Sequence, residues 1–409
     1  MHPIINGLLF NLKRMRDQVS KSGIEKIIIL VIILFVSFSC KKRGCMDPDA
    51  LNTDLEAEIA DNSSCNNAGF DRAEMLSNVC DNYILPAYQN FSNKNIALNQ
   101  AALYFSSNPT LESFEAMKSE WVNALIAWQK VSFLDFGPAD YYTLKNQVNI
   151  YPVDTNTIDE NIALGSYDLN LASNNDAKGF QALDFLLNQP GLNEDGHVAY
   201  FTNNTNANDY LLALTANLVE LSQNVNDEWV NTYNLNFKDN NSSNAQGSSV
   251  SNLVNGLCSY YETYIRKGKI GLPLGVFNGF TQEEMPKLVE CYYYGSSLPF
   301  ARAAIEGMSK FINGVHFNST ENRLGLDDYM DFVGATHNNN PLADVILNQF
   351  EKIIERLAHL NDPLSNEILV NKPAVEDAYS ELQRLVPFMK VDMTSALGVL
   401  ITYQDNDGD

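Results

Sequence analysis

Between Asn108 and Gly137 the apolar residues Met117, Trp121, Ala124, Leu125, Trp128 and Val131 recur every three or four positions. That period limits the fold more than any other feature of the chain. It gives a helix one apolar stripe, and such a stripe has to be buried against a neighbour. Asn108-Pro109-Thr110 supplies the start, with a capping residue and a proline suited to a first turn, and Gly137-Pro138 supplies the stop. Trp121 and Trp128 therefore read as core residues.

The same period runs along most of the chain from Asp71. Met75, Val79 and Tyr83 lead to Phe91, Leu98 and Phe105, with Pro86 expected to kink or split that helix. Leu212, Ala216, Val219 and Trp229 mark a long helix over 209–230, and 250–267 reads as helical. The glycines and proline of 268–275 are expected to break it. Leu298, Ile305, Met308 and Ile312 predict a helix from Leu288 to about Gly314, and Leu342–Leu360 predicts another. The last helix opens at Lys372-Pro373 and runs to Leu400, bent at Pro387. Short helices are expected at 158–164 and 179–187, the second ended by Asn188-Gln189-Pro190-Gly191. No run alternates long enough for a substantial strand. The reading is an all-α protein of long antiparallel helices in two helical-bundle halves, about 69–232 and 250–409, joined by an Asn/Ser-rich surface loop over 233–249.

Export is written at the N-terminus. Lys13, Arg14, Arg16, Lys21 and Lys26 precede an apolar run from Ile27 to Phe38. About a dozen residues is too short to span a bilayer but suits a signal peptide. Val36-Ser37-Phe38-Ser39-Cys40 resembles a bacterial lipobox. Residues 1–39 then form the signal peptide, and Cys40 carries lipid that holds the chain to a bilayer. A cleaved signal peptide without lipid would also export it. Residues 40–68 read as a tether, Asp/Asn-rich and without periodicity. The stretch Gly44-Cys45-Met46-Asp47-Pro48-Asp49 to Asn62-Ser63-Ser64-Cys65 resembles a disulfide-closed loop module found near the membrane end of some bacterial surface proteins. That resemblance implies a Cys45–Cys65 bridge, worth about 3 kcal/mol for a loop of this size. Cys80, Cys258 and Cys291 fit buried thiols as well as a Cys258–Cys291 bridge. The formal net charge of −23 argues against nucleic acid or anionic lipid as a partner.

Catalytic motifs are sparse. There is no His-Glu-x-x-His, nucleophile elbow or Walker loop, and the five histidines have no metal-ligand spacing. His197, His316 and His337 read as loop residues. The most suggestive stretch is Lys178-Gly179-Phe180-Gln181-Ala182-Leu183-Asp184-Phe185-Leu186-Leu187, in which Phe180, Leu183 and Leu187 share one face. Gln181 and Asp184, three apart, share a neighbouring face. Such a pair is ordinarily a solvated edge and less often a site in a bundle.

The order of several motifs carries a resemblance. These are Leu85-Pro86-Ala87-Tyr88, Trp121 to Phe136-Gly137-Pro138, Ile150-Tyr151-Pro152-Val153, Lys178-Gly179-Phe180, Lys269-Ile270-Gly271-Leu272-Pro273-Leu274, Glu290-Cys291-Tyr292-Tyr293-Tyr294 and Leu397-Gly398-Val399. Over about 70–409 the chain resembles the imelysin family, the imelysin-like lipoproteins grouped with the M75 peptidases and linked to iron uptake. The resemblance implies an all-helical fold of two bundle-like halves held at the cell envelope. For a gram-negative bacterium this means an outer-membrane lipoprotein facing periplasm or surface. The family hallmark is Gly-x-His-x-x-Glu, proposed as a metal or catalytic site. Here Gly179 matches the glycine, Gln181 stands for the histidine and Asp184 for the glutamate. An amide is not a base and its oxygen is a weak ligand, so peptidase chemistry and transition-metal binding lose their histidine. A weak site for a hard cation stays open, and Glu120 and Glu290 are candidates to face a cleft between the bundles.

The expected function is an envelope-anchored, non-catalytic binding component working with metal-uptake components. The alternatives are an M75-type metal-dependent peptidase and a carbohydrate- or peptide-binding surface lipoprotein, for which Tyr292-Tyr293-Tyr294 is the candidate patch. The terminal Asp405, Asp407 and Asp409 alternate like the start of a calcium loop but read as a solvated tail.

Overall fold

The computed structural model describes residues 41–47, 50, 53–54, 56–61, 65 and 69–403. The expected signal peptide, Cys40 and the acidic tail at 405–409 lie outside them. The chain divides into two units, Met1–Gly69 and Phe70–Asp409. In the first, strands Arg43–Gly44 and Ile59–Ala60 pair in parallel, Lys42 Nζ reaches Asp54 at 2.9 Å, and Cys45 is disulfide-bonded to Cys65. Cys80, Cys258 and Cys291 of the second unit are free thiols, all buried.

The second unit is all-α. Its longest helices follow the sequence periodicity, and a local reason can be given for each departure. Pro86 has no N–H to give the carbonyl four residues back, that of Asn82. That carbonyl instead accepts from Phe317 N at 2.8 Å. The chain winds more widely over Cys80–Ile84, as a π turn, and so passes from Arg72–Val79 into Leu85–Ser107 without a break. Lys372–Pro387 likewise continues as a π turn, Phe388–Met393.

Leu85–Ser107 packs against Leu111–Gln129 on one side and Thr205–Glu228 on the other. Only residues 108–110 separate the first pair, and Thr110 caps the second helix by accepting from Ser113 N at 3.2 Å. Trp121 and Trp128 are buried in this core. Leu298–Ile312 packs on Leu111–Gln129 and on Leu342–Ala358, which in turn lies against Lys372–Pro387. The only strands among the described residues of this unit are the short antiparallel pair Thr336–His337 and Asn340–Pro341. No helix among the described residues is long and apolar enough to cross a membrane.

Four local expectations are corrected. The break expected over 268–275 comes only at its last residue, where Gly275 at φ +89 ends the helix. A π-helix runs from Tyr261 to Gly271 and leads into Leu272–Leu274. Gly271 serves packing instead, because a Cβ there would lie 2.5 Å from the Phe277 ring and 2.9 Å from Tyr379. The helix expected from Leu288 begins only at Leu298, where Asp362 Oδ1 accepts from Ser297 N at 3.0 Å and Leu298 N at 3.3 Å. Residues 289–297 are turns, with Cys291 at φ +55. A helix, Glu194–Asn203, forms where none was expected, so His197 is helical rather than in a loop. Its start is a local capping signal: Asn193 accepts from Gly196 N at 2.8 Å. Finally, the 233–249 loop is shorter than expected, because Asn234–Asp239 is helical.

Candidate functional site

The site is built around the Gly179–Leu187 helix. Gly179 has φ +73, and a Cβ there would lie 2.3 Å from the carbonyl oxygen of Val148. Only glycine lets the backbone of 147–149 press this closely on the start of the helix. Lys178 fixes the same junction. It is buried, and its ammonium donates to Gln147 Oε1 at 2.9 Å and to the Leu169 carbonyl at 2.6 Å. Burial pulls its pKa below the ordinary lysine range. From the other side Trp121 Nε1 donates to the Phe180 carbonyl at 3.1 Å.

Gln181 and Asp184 do not form a solvated edge. They are 2% and 1% exposed, and both turn towards the 289–297 turns. Gln181 Oε1 accepts from Cys291 N at 2.9 Å, while its Nε2 donates to Asn149 Oδ1 at 2.8 Å and lies 3.6 Å from Cys291 Sγ. Asp184 Oδ2 accepts from Tyr293 N at 3.0 Å. Its Oδ1 accepts from Tyr294 N at 2.8 Å and from Asn188 Nδ2 at 3.2 Å. Two residues three apart on one helix thus hold a turn 110 positions away. The positive φ of Cys291 is sustained by these bonds, since a non-glycine residue in that region needs its surroundings to fix it.

Glu290 lies beneath, 1% exposed. Its Oε2 accepts from Lys269 Nζ at 2.5 Å, and its Oε1 accepts from Gln129 Nε2 at 2.8 Å and Asn149 Nδ2 at 2.7 Å. Lys269, itself 3% exposed, is therefore part of one buried network that runs through Glu290 and Asn149 to Gln181. The sequence reading reached Glu290 but missed Lys269, Asn149 and Gln129. The one local hint was a lysine set among the small and apolar residues of 268–275. Glu120 lies elsewhere, on the Leu111–Gln129 helix; its Oε2 is buried without a partner, and it does not line the cleft described next.

Above Gln181 and Asp184 opens a cleft of about 430 Å³. Tyr151, Pro152, Val153, Thr155 and Pro190 line it together with Lys287, Val289, Tyr292 and Tyr293. Two of the three tyrosines in the sequence patch are thus at the same place as the motif helix. Tyr294 instead turns its ring edge-on to Trp121, 5.2 Å between centroids. Among the described residues, no group of three or more His, Cys, Asp or Glu side chains is placed to hold a metal ion. His197 lies apart, stacked on Phe114, with Nδ1 2.9 Å from the Asn193 carbonyl.

Burial raises the Asp184 pKa to about 7, against the pull of its three N–H donors. It also drives the Cys291 thiol well above its ordinary value, so the thiol stays protonated and poorly nucleophilic. The Asp184 shift has a consequence for stability. Unfolded, Asp184 ionises near 3.8; folded, near 7. Between those values the folded chain holds a proton that the unfolded chain has lost. Raising the pH through this window should destabilise the fold, by roughly 4 kcal/mol for this group, with no further loss from it above about pH 7. Asp327, also raised to about 7 by burial, adds a slope of the same sign. Asp184→Asn is expected to make the fall in stability with rising pH shallower, measured by urea denaturation from pH 4 to 8. Equal slopes in the two proteins would contradict the assignment.

The fold and site together define a helical protein with an aromatic cleft over a buried polar network. The chain belongs to the imelysin family: the family model for Peptidase M75, described as Imelysin, matches residues 84–386. Among solved structures it is similar to a putative iron-regulated protein A precursor from Parabacteroides distasonis ATCC 8503, at 18% identity and a TM-score of 0.66, over 80% of this chain and 95% of that one. It is also similar to an imelysin-like protein from Psychrobacter arcticum 273-4, at 17% identity and a TM-score of 0.62, over 81% of this chain and 97% of that one. At this level of identity the likeness is one of fold. No curated protein matches.

Proposed function

We propose that this protein is an exported, lipid-anchored imelysin-family component of the cell envelope that serves iron or other metal acquisition by binding rather than by catalysis. One observation carries the non-catalytic part. The two side chains at the family's histidine and glutamate positions are spent on hydrogen bonds within the protein. Gln181 uses its amide oxygen on Cys291 N and its amide nitrogen on Asn149, and Asp184 gives an oxygen each to Tyr293 N and Tyr294 N. A metal-dependent peptidase needs a ligand set with an open position and a base within reach of water. An amide supplies no base, and a carboxylate bound to two main-chain N–H groups would have to release them to take a cation. The motif has become a clamp on the 289–297 turns.

The envelope part rests on the basic, apolar and Cys40-containing N-terminus, with lipid at Cys40 as the anchor in the outer membrane. The link to iron is supported by membership of this family and by the printed name of the Parabacteroides protein, an iron-regulated protein A precursor. Incubating the full chain with casein and with insulin B chain tests the reading. No cleavage above a no-protein control is expected, with or without added zinc or iron. Cleavage that a chelator stops would replace this reading by the peptidase one.

A further inference from the structure

We propose that the cleft over the Gly179–Leu187 helix binds a neutral glycan, with sugar rings laid against Tyr292 and Tyr293. The proposal rests on the reading that this site binds rather than cuts, and it names the class of ligand. A volume of about 430 Å³ suits a small organic ligand and far exceeds what a bare ion fills. The walls suit rings. Tyr292 and Tyr293 stand nearly perpendicular, 84° apart with centroids at 5.2 Å, and Phe185 braces Tyr293 edge-on at 5.0 Å. Each phenol offers an apolar face, which matches the C–H face of a sugar ring, and a hydroxyl beside it.

The polar atoms sort the ligand classes further. Those at the floor face inward, since Gln181 and Asp184 serve the turn. Apart from Lys287, what remains for a ligand is neutral: the hydroxyls of Tyr292, Tyr293 and Thr155, which have no hydrogen-bond partner among the described residues. Lys287 is the one cation among the lining residues, and it is exposed at the rim. A lone rim cation on a chain of net charge −23 makes a poor site for a polyanion. An extended peptide is read through main-chain hydrogen bonds. Here the N–H groups of Cys291, Tyr293 and Tyr294 are already taken by the central helix. A polyhydroxylated, uncharged ring ligand uses faces and hydroxyls and needs neither.

The test is calorimetry on the detergent-solubilised full chain with neutral oligosaccharides of glucose, xylose, mannose and N-acetylglucosamine, each at about 1 mM. At least one is expected to bind, with an affinity unchanged between about 0.05 and 0.5 M salt. Tyr292→Ala and Tyr293→Ala should each weaken it about tenfold, while Tyr141→Ala, exposed and outside the cleft, should leave it unchanged. Tyr292→Phe and Tyr293→Phe keep the ring and should keep most of the affinity, and urea denaturation of the alanine variants separates a lost ring contact from misfolding. The proposal is overturned if no oligosaccharide binds, if both alanine variants bind as tightly as the parent, or if affinity falls steeply with salt. Binding confined to short peptides or to ferric citrate in the same cell also overturns it. Any of these leaves the non-catalytic reading intact, whereas chelator-sensitive cleavage of casein defeats that reading whatever the sugars do.

Discussion

Gly179→Ala is expected to destabilise the Phe70–Asp409 unit by about 3–5 kcal/mol, among the largest effects of any single substitution. Two costs combine. The positive φ of +73 penalises any Cβ by about 1 kcal/mol. The larger part is the contact at 2.3 Å with the Val148 carbonyl, which is backbone and cannot swing aside like a side-chain tip. To relieve it, 147–149 has to lift away from the helix. Asn149 then leaves Gln181 and Glu290 together, and both are buried, so their polar groups lose a partner where water does not replace it. Gly191→Ala is the control, because Gly191 has φ +87 with nothing within 4 Å of a Cβ. It should cost only about 1 kcal/mol. Urea denaturation of the two variants separates the terms, and equal losses would contradict the close approach.

Lys269→Met should cost a similar amount, about 3–5 kcal/mol, because it strands a charge inside the protein. Glu290 would keep Gln129 and Asn149 as donors but would lose the ammonium that balances it. Glu290→Gln strands the lysine in the same way. Removing both charges together should be cheaper than the sum of the single losses by about 1–3 kcal/mol, since the double variant buries no unpaired ion. A double-mutant cycle from denaturation curves checks this. Additivity within about 0.5 kcal/mol would show that the two side chains do not depend on each other.

The fold was legible in the sequence wherever a helix buries one stripe. Met117, Trp121 and Leu125 needed only their spacing. Helices held by local capping, or with little periodicity, were harder. Glu194–Asn203 shows no clear stripe, and its start is marked only by Asn193 and by the acidic Glu194 and Asp195 of the first turn. Glycine misled at 268–275, because at Gly271 it makes room for Phe277 and Tyr379 rather than ending a helix. Conversely, Gly179 was visible only as part of a motif, and its physical reason, the Val148 carbonyl, is a tertiary contact.

The site was legible in part. Gln181 and Asp184 could be picked out, but their partners lie about 110 residues further on, in a stretch that periodicity assigned to a helix. Gly295, at φ +72, and Pro299, in the first turn of the next helix, were local signs that the helix starts late, but the course of the turn before them is held by those same two side chains and by Asp362. Lys269 and Glu290 sit in stretches read as a break and as a helix. Their pairing depends on both readings being reversed.

If Gln181 and Asp184 hold the protein's own turn, they are not free to hold a metal. Calorimetric titration of ferrous iron and of zinc into the full chain tests it most directly, with Gln181→His alongside. No saturable site tighter than about 1 mM is expected in the parent protein, and a gain of at least tenfold is expected in Gln181→His, where imidazole replaces the amide. A parent protein that binds either metal with a Kd below about 1 µM, and loses it on Gln181→Ala, would contradict the account.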